Sequence, residues 1–155
     1  MNEYAVITAP FGRLGIRTRE DILVEIRFLD DTHPLQAPEA GGLAAEAVSQ
    51  IDAYFLDPAF CFNLPFQVEG SAFQRRVWEQ ISRIPSGQTK SYREIAELIG
   101  SAPRAIGGAC GRNPLPLVVP CHRVVSSSGL GGFMQSSGRQ TVSIKEWLLA
   151  HERCR

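Results

Sequence analysis

Hydrophobic and polar residues alternate through much of the first 30 positions, with the period of a β-strand that buries one face. Two turn-like stretches, Pro10-Phe11-Gly12 and Arg19-Glu20-Asp21, interrupt the alternation. This pattern predicts an antiparallel meander of three strands. The positions that define the strands are residues 4–8, then Leu14, Ile16 and Thr18, then Ile22, Val24, Ile26 and Phe28.

A loop with two prolines and two glycines follows over residues 31–42, and the hydrophobic period then changes to that of a helix. Residues 43–55 are predicted to form an amphipathic helix that ends before Pro58. Alternation at Phe60, Phe62 and Leu64 predicts one more strand. The region 67–70 is interpreted as a hinge, so the sequence predicts an N-terminal α/β domain over 1–69 and a second domain over 70–155.

Helical periodicity dominates the second half, and three Ser-x-x-Gln/Glu capping boxes, at Ser71, Ser91 and Ser143, are predicted to open helices. Gly100 ends the second of these helices, and another short helix begins at Pro103. Two helices joined by a tight Gly-containing turn predict a helix-turn-helix. The fold class expected for the whole chain is α+β.

The second helix of this predicted motif has almost no bulky side chains beyond Arg104. Because each glycine in a helix costs about 1 kcal/mol relative to alanine, something must approach this helix closely. Either another element of the protein packs on it or it lies against a nucleic-acid backbone, and the sequence leaves both open. The small residues are Ala105, Gly107, Gly108, Ala109 and Gly111.

The net charge of zero conceals an asymmetry between the halves. Residues 1–69 carry four arginines and eleven acidic residues, a net charge of −7, whereas residues 70–155 carry twelve basic and five acidic residues, a net charge of +7. A basic half of this kind indicates a polyanionic partner such as nucleic acid.

Composition bears on the class of protein, its location in the cell and its capacity to bind a metal. The 155 residues are 44% hydrophobic and 21% charged, as in a globular protein, and no apolar run is long enough to span a membrane. The N-terminus lacks a signal-peptide pattern, so a cytoplasmic protein is expected. Four cysteines without Cys-x-x-Cys spacing and only three histidines predict reduced thiols and no metal site.

Candidate chemistry lies at Cys121-His122, within an apolar run that covers residues 117–125. A thiol needs a neighbouring base or dipole to become a thiolate nucleophile. Because adjacent residues of a strand point to opposite faces, His122 can assist Cys121 only if the chain turns there or if a water carries the proton. The alternative is that Cys121 is a small buried hydrophobic residue. Glu152 could orient His122 or be a surface carboxylate at a helix end.

Four ordered blocks in the second half resemble the O6-alkylguanine-DNA alkyltransferases, the methylated-DNA–protein-cysteine methyltransferases. They cover most of residues 71–152. The blocks are Thr89-Lys90-Ser91-Tyr92-Arg93-Glu94-Ile95-Ala96, Arg104-Ala105-Ile106-Gly107-Gly108-Ala109, Asn113-Pro114 through Pro120-Cys121-His122-Arg123-Val124-Val125, and Lys145-Glu146-Trp147-Leu148-Leu149.

The resemblance implies a ribonuclease-H-like N-terminal domain and a mostly helical, winged-helix-like C-terminal domain. It implies a suicide methyltransferase for direct DNA repair, which takes the alkyl group from O6-alkylguanine, and by extension O4-alkylthymine, once per molecule and without a cofactor. Cys121 would accept the alkyl group, and His122 would act as base through a water, with Glu152 orienting it. Tyr92 would protonate or polarise the departing guanine and assist rotation of the nucleotide, and Asn113 would hold the active-site turn.

The same resemblance implies minor-groove binding of double-stranded DNA with flipping of the damaged base. The residues expected at the DNA are Arg104, which would fill the vacated stack, with Ala105, Gly107, Gly108, Arg112 and Arg123. The residues expected around the alkyl group are Pro120, Phe133 and Met134. Phe133 stands where the family commonly has tyrosine, and the loop 132–142 is longer than usual. The protein is expected to be a monomer that could bind DNA cooperatively, without membrane association.

Two other functions are compatible with parts of the sequence. A Cys-His thiol hydrolase would use the same pair but would not need a basic helix-turn-helix. A DNA-binding regulator or non-catalytic lesion sensor would use the helix-turn-helix but would not need the thiol.

Overall fold

A computed structural model describes residues 2–127, 129, 131 and 139–153, without the side chains of 139–142. The chain divides into two compact units, residues 1–69 and 70–155. Over the residues described, the elements form a mixed α/β protein with five α-helices and a small antiparallel sheet. Within the described ranges, no helix is both long and apolar enough to cross a membrane.

The first unit is built on the predicted meander, which the structure confirms. Strands β1 (Glu3–Ala9), β2 (Gly12–Arg19) and β3 (Ile22–Leu29) pair antiparallel in the order β1-β2-β3. Glu20 and Asp21 make the tight turn between β2 and β3 with left-handed φ values of 52° and 61°. Helix α1 (Leu43–Leu56) packs on the sheet. It is amphipathic as predicted, with Ala44, Ala47, Gln50, Ile51 and Tyr54 buried.

The strand predicted over Phe60, Phe62 and Leu64 does not form. The aromatic rings instead pack together, with the Phe62 ring 5.6 Å from that of Tyr54 and 5.7 Å from that of Phe60. Just beyond this segment the chain pairs with β3, where the Leu23 N–H donates to the Pro65 carbonyl at 2.9 Å. Ring packing onto α1 therefore satisfies these apolar positions without a strand partner.

The second unit contains α2 (Ala72–Ser82), α3 (Tyr92–Ile99), α4 (Pro103–Gly111) and α5 (Arg139–Arg153). Two short strands, β4 (Lys90–Ser91) and β5 (Val124–Val125), pair in parallel, and the sequence did not predict them. The capping boxes at Ser71 and Ser91 are confirmed, because each serine accepts from the N3 backbone and each N3 side chain accepts in return.

Helices α3 and α4 pack against each other and are joined by a short turn. Gly100 ends α3 in the left-handed conformation, with φ 70°, and Pro103 is the first residue of α4. The indole N–H of Trp78 on α2 donates to the Ala109 carbonyl at 2.9 Å, so α4 is fixed against α2 as well.

Helix α5 differs from its prediction. It begins at Arg139, so Ser143 lies inside the helix and does not cap it. Lys145 and Glu152 are buried on this helix. Trp147 and His151, whose apolar spacing predicts an inward position, are instead half-exposed, and their rings stack at 4.8 Å. The inward face includes charged residues whose partners lie elsewhere in the chain, and hydrophobic periodicity assigns such residues to the surface.

Candidate active site

Cys121 is the first residue of a short 3₁₀ turn, Cys121–Arg123, and is only 2% exposed. Two short-range backbone hydrogen bonds form the turn, from Cys121 N to Val119 O at 2.8 Å and from Arg123 N to Pro120 O at 2.9 Å. From the sequence, His122 could assist Cys121 if the chain turned there or if a water carried the proton, and the structure has a turn at this point.

Asn113 holds the loop that carries the thiol. Its Nδ2 donates to the Val119 carbonyl at 2.8 Å and to Cys121 Sγ at 3.2 Å, while its Oδ1 accepts from Leu115 N at 2.9 Å. An amide N–H aimed at sulfur stabilises the thiolate more than the thiol. The structure thus places Asn113 in contact with the Cys121 thiol as well as with the loop.

His122 is buried and its Nε2 lies 2.8 Å from Glu152 Oε2. Since a carboxylate only accepts hydrogen bonds, Nε2 carries the proton and Nδ1 keeps a lone pair. Nδ1 is buried, and none of the described residues gives it a hydrogen-bond partner. Burial lowers the pKa of His122, and the Glu152 carboxylate opposes that shift, so the ring is neutral near pH 7 and can take up a proton.

Glu152 is 1% exposed, which excludes the alternative of a surface carboxylate at a helix end. Arg123 also binds this carboxylate, with Nε donating to Oε1 and Nη2 to Oε2, both at 2.9 Å. Nη1 of Arg123 also donates to the Ile84 carbonyl at 2.6 Å. Such a bidentate pair fixes the plane of the carboxylate and hence the direction of the bond to His122.

These contacts change the interpretation of Arg123. The sequence analysis placed it at the DNA, but its side chain is 12% exposed and its guanidinium is committed to Glu152 and Ile84. The charge of Arg123 is neutralised by Glu152 inside the protein, and we therefore do not assign Arg123 to the DNA interface. The correction was not accessible from sequence, because its two partners lie 39 residues upstream and 29 residues downstream.

Lys145 is a buried member of the site that the sequence analysis missed as a functional residue. Its Nζ donates to the Val124 carbonyl at 2.8 Å and lies 3.5 Å from the Tyr92 hydroxyl. Burial lowers the pKa of Lys145 to about 8, although the neighbouring thiols of Cys110 and Cys121 act to raise it. Burial raises the pKa of Tyr92 to about 12, so its hydroxyl stays protonated and can donate. Lys145 and Glu152 are seven residues apart, which is two turns of one helix. This spacing was the signal in the sequence that Lys145 lies on the same face as Glu152.

The Cys121 thiol is protonated at rest. Burial raises its pKa well above the ordinary value, and the adjacent Cys110 thiol raises it further, whereas Asn113 and Lys145 lower it. A reaction that uses the thiolate therefore needs the proton removed during the reaction, by a base such as His122. Cys110 was likewise not singled out from sequence.

The glycines of α4 could be covered by another element of the protein or could face a nucleic-acid backbone, and the structure excludes the first for Gly107 and Gly108 among the described residues. A Cβ added at Gly107 or Gly108 would meet nothing within 4 Å, so no described element packs on these positions. Arg104, Ala105 and Gly108 are exposed on α4, and Arg112 is exposed at its end. Ala105, Gly107 and Gly108 thus form an open surface of the second unit, whereas Ala109 is buried.

Two further expectations concern the alkyl pocket and metals. Pro120 is buried next to Cys121, while Phe133 and Met134 lie outside the described residues. Among the residues that are described, no three His, Cys, Asp or Glu side chains are grouped so that they could hold a metal ion.

Comparison with known proteins agrees on one family. The model of the DNA-binding domain of 6-O-methylguanine DNA methyltransferase matches residues 72–154. The methylated-DNA–protein-cysteine methyltransferase of Mycolicibacterium paratuberculosis is 41% identical, over 99% of this chain and 93% of its own length. The constitutive enzyme of that name from Bacillus subtilis is 36% identical, over 99% of this chain and 96% of its own length.

Solved structures agree as well. The crystal structure of Mycobacterium tuberculosis O6-methylguanine methyltransferase superimposes with a TM-score of 0.84 at 36% identity, covering 100% of this chain and 94% of that one. A crystal structure of M. tuberculosis OGT in complex with DNA gives a TM-score of 0.81 at 36% identity, over 97% and 92% of the two chains. With family model, curated relatives and solved structures in agreement, the chain belongs to the methylated-DNA–protein-cysteine methyltransferase family.

Proposed function

We propose that this protein is a methylated-DNA–protein-cysteine S-methyltransferase that repairs DNA by transferring the alkyl group of O6-alkylguanine to its own Cys121. The observation that carries the proposal is the arrangement around the thiol. Cys121 Sγ accepts a hydrogen bond from Asn113, and the adjacent His122 is held through Nε2 by Glu152 while its Nδ1 stays free. This is the set of parts that an activated thiol nucleophile needs.

The reaction begins when Nδ1 of His122 takes the Cys121 proton through a water. The thiolate attacks the alkyl carbon in line with the carbon–oxygen bond, which breaks as the sulfur–carbon bond forms. The electron pair passes to the guanine, and Tyr92 donates a proton to it or polarises it. The Lys145 amine, 3.5 Å from the Tyr92 hydroxyl, supports that role because a cation nearby stabilises a developing phenolate.

The product is a thioether, which is too stable to return the alkyl group. Each protein molecule therefore reacts once, and no cofactor takes part. We extend the substrate to O4-alkylthymine, since its alkyl group is also carried on an exocyclic oxygen of the base. We place the reaction in the cytoplasm, on the chromosome, with a monomeric protein.

The second unit, residues 70–155, is proposed to bind DNA through the α3–α4 pair as a winged-helix-like helix-turn-helix, and the first unit to be ribonuclease-H-like. The open glycine surface of α4 fits close approach to a minor groove, where long side chains would collide with the backbone. Arg104 would occupy the stack vacated by the flipped base, and Arg112 would contact a phosphate. Pro120 and the loop with Phe133 and Met134 would surround the alkyl group.

The proposal is tested by intact-protein mass spectrometry after mixing with a duplex that contains one O6-methylguanine, followed by peptide mapping. One added methyl group on the peptide with Cys121, saturating at one per protein, is the expected result. Unchanged mass with tight binding to the lesion would indicate a sensor instead. Unchanged mass without binding would reopen the thiol hydrolase.

Replacing Gly108 with alanine is expected to change stability and DNA affinity in opposite directions. In the free protein the methyl group meets open space and improves helix propensity, so the free energy of unfolding should rise by up to about 1 kcal/mol. On DNA the same methyl group occupies the space that the backbone needs, so affinity should fall. Urea unfolding and fluorescence anisotropy measure the two quantities.

Ser143→Ala provides the matched control, since Ser143 is exposed inside α5 and alanine also favours the helix there. It should raise stability without weakening DNA binding. Unchanged DNA affinity in Gly108→Ala would contradict the placement of α4 in the groove.

Replacing Arg104 with alanine is expected to slow transfer from O6-methylguanine in duplex DNA far more than transfer from the free modified base. The reason is that only the duplex requires a side chain in the vacated stack. Single-turnover rates at saturating duplex, compared with rates on free O6-benzylguanine, measure the difference. Arg112→Ala removes the same charge from the other end of α4 and should weaken binding with little change in the saturated rate. Equal losses on both substrates in Arg104→Ala would contradict the flipping role.

A further inference from the structure

Arg123 is a nearly buried cation whose guanidinium donates a hydrogen bond from every nitrogen. Nε and Nη2 donate to the two oxygens of Glu152 at 2.9 Å, and Nη1 donates to the Ile84 carbonyl at 2.6 Å. Glu152 belongs to α5, and Ile84 lies just beyond the end of α2. The guanidinium is therefore fixed from two sides within the second unit, although the proposed transfer reaction does not use it.

His122 and Arg123 donate to the same carboxylate oxygen. His122 Nε2 lies 2.8 Å from Glu152 Oε2, and Arg123 Nη2 lies 2.9 Å from it. The His122 and Glu152 side chains are each 1% exposed and that of Arg123 is 12% exposed, so water screens the three groups from one another only weakly. The charge carried by one of these groups consequently affects the charge of the other two.

The electrostatic environment of the His122 ring comes from its own turn and from α5. Burial lowers the pKa of the ring, the Glu152 carboxylate opposes that shift, and Arg123 and Lys145 add to it. The Cys121 thiol precedes the ring in the same turn. Helix α2 also packs against this turn, but its charged side chains are exposed, namely those of Arg75, Arg76 and Glu79. Arg123 thus supplies a positive charge directly at the carboxylate that holds the ring.

We propose that Arg123 is a positioning residue for alkyl transfer, and that its guanidinium balances the Glu152 carboxylate so that the His122 ring stays neutral until it takes the thiol proton. The inference rests on the proposed function, in which Nδ1 of the ring must be free. A buried carboxylate that lacks a cation favours uptake of a proton nearby. Imidazole is the stronger base of the pair, with an ordinary pKa of about 6.5 against about 4.3 for glutamate. The resulting imidazolium carries hydrogen on both nitrogens and cannot accept the thiol proton.

The charge of the guanidinium and its planar shape have separable effects. Lysine keeps the positive charge but cannot form two parallel hydrogen bonds to a carboxylate. Arg123→Lys therefore keeps the ring neutral while it loosens the carboxylate. Arg123→Gln removes the charge, so the ring binds a proton at a higher pH than in the wild type.

Nitrogen-15 NMR of the histidine rings tests the charge balance in the DNA-free protein. The His122 signals are identified by their absence from His122→Gln. The wild-type ring should be neutral at pH 7 with its hydrogen on Nε2, and Arg123→Lys should titrate like the wild type. In Arg123→Gln the midpoint of protonation should rise by about one pH unit or more. An imidazolium in the wild type at pH 7, or an unchanged midpoint in Arg123→Gln, would overturn the inference. This readout needs no alkyl transfer, so its outcome is separate from that of the proposed function.

Urea unfolding between pH 6 and pH 8 addresses the loss of stability expected in Arg123→Gln. Because the raised pKa of the ring in this variant lets a proton replace the missing cation, the added proton stabilises the fold at low pH and is lost as the pH rises through the raised pKa. The stability deficit relative to the wild type should therefore shrink toward pH 6. A deficit of the same size at every pH, including a failure to fold throughout the range, would overturn the inference.

The pH profile of single-turnover transfer supplies the functional readout. In Arg123→Gln the acid side of the profile should move up by about one unit, which is about a tenfold loss of rate on that side, and the rate should recover as the pH is raised. Arg123→Lys should lower the rate without moving the profile. Arg83→Gln removes an exposed arginine, which pairs with Glu79 at 3.0 Å, and should change neither. A rate of Arg123→Gln that falls by the same factor at every pH would limit Arg123 to a structural role and overturn the inference.

Discussion

Replacing Cys121 with serine is expected to abolish methyl transfer and to leave affinity for duplex DNA nearly unchanged. A hydroxyl is a far weaker nucleophile than a thiol at neutral pH, so the single-turnover rate should fall by more than about 10³-fold. Serine is similar in size, and its oxygen can accept the hydrogen bond that Asn113 donates to Cys121 Sγ. Intact mass after incubation with O6-methylguanine duplex measures transfer, and fluorescence anisotropy measures binding.

The exposed thiol of Cys61 offers a matched control, because Cys61→Ser makes the same chemical change in the first unit. Transfer and binding should both match the wild type. A methyl group found on another residue of Cys121→Ser would contradict the assignment of the nucleophile. A loss of binding with an unchanged unfolding transition would show that the thiol itself contributes to recognition of DNA.

Local patterns predicted much of the fold. The meander, α1 and the helices opened by Ser71 and Ser91 depend on hydrophobic period and on capping side chains within four residues of their partners. Such information is contained in short windows of sequence. The predictions that failed needed information from elsewhere in the chain. The segment 60–64 alternates like a strand but has ring partners on α1, and Ser143 has a capping pattern but lies inside a longer helix.

The candidate site shows the same limit more sharply. The family resemblance and the Cys-His pair pointed to Cys121, His122, Asn113 and Glu152, which the structure brings together. The sequence did not reveal the partners of Arg123 or the burial of Lys145. A hydrophobic pattern assigns every charged side chain to the surface, because charged residues are rarely buried. Buried charges are paired or hydrogen-bonded, and their partners here come from different elements.

These charges also explain how a basic unit keeps a carboxylate in its interior. Glu152 accepts hydrogen bonds from the Arg123 guanidinium at both carboxylate oxygens and from the His122 ring at Oε2. The same carboxylate thus fixes the His122 tautomer and neutralises a buried arginine. Under the proposed mechanism, stability and alkyl transfer both depend on Glu152, and a single substitution should change both.

Replacing Glu152 with glutamine is expected to lower the free energy of unfolding by about 3–5 kcal/mol, because a nearly buried guanidinium loses its counter-charge. The transfer rate of the folded protein should fall by about 10²-fold or more, because the amide can donate to Nε2 and so move the imidazole proton to Nδ1, where the base must be free. Urea unfolding and single-turnover transfer, corrected for the folded fraction, separate the two effects. Glu146→Gln makes the same change at an exposed position of α5 and should alter neither. A Glu152→Gln protein that is destabilised yet transfers at the wild-type rate would limit Glu152 to a structural role and remove His122 as the base.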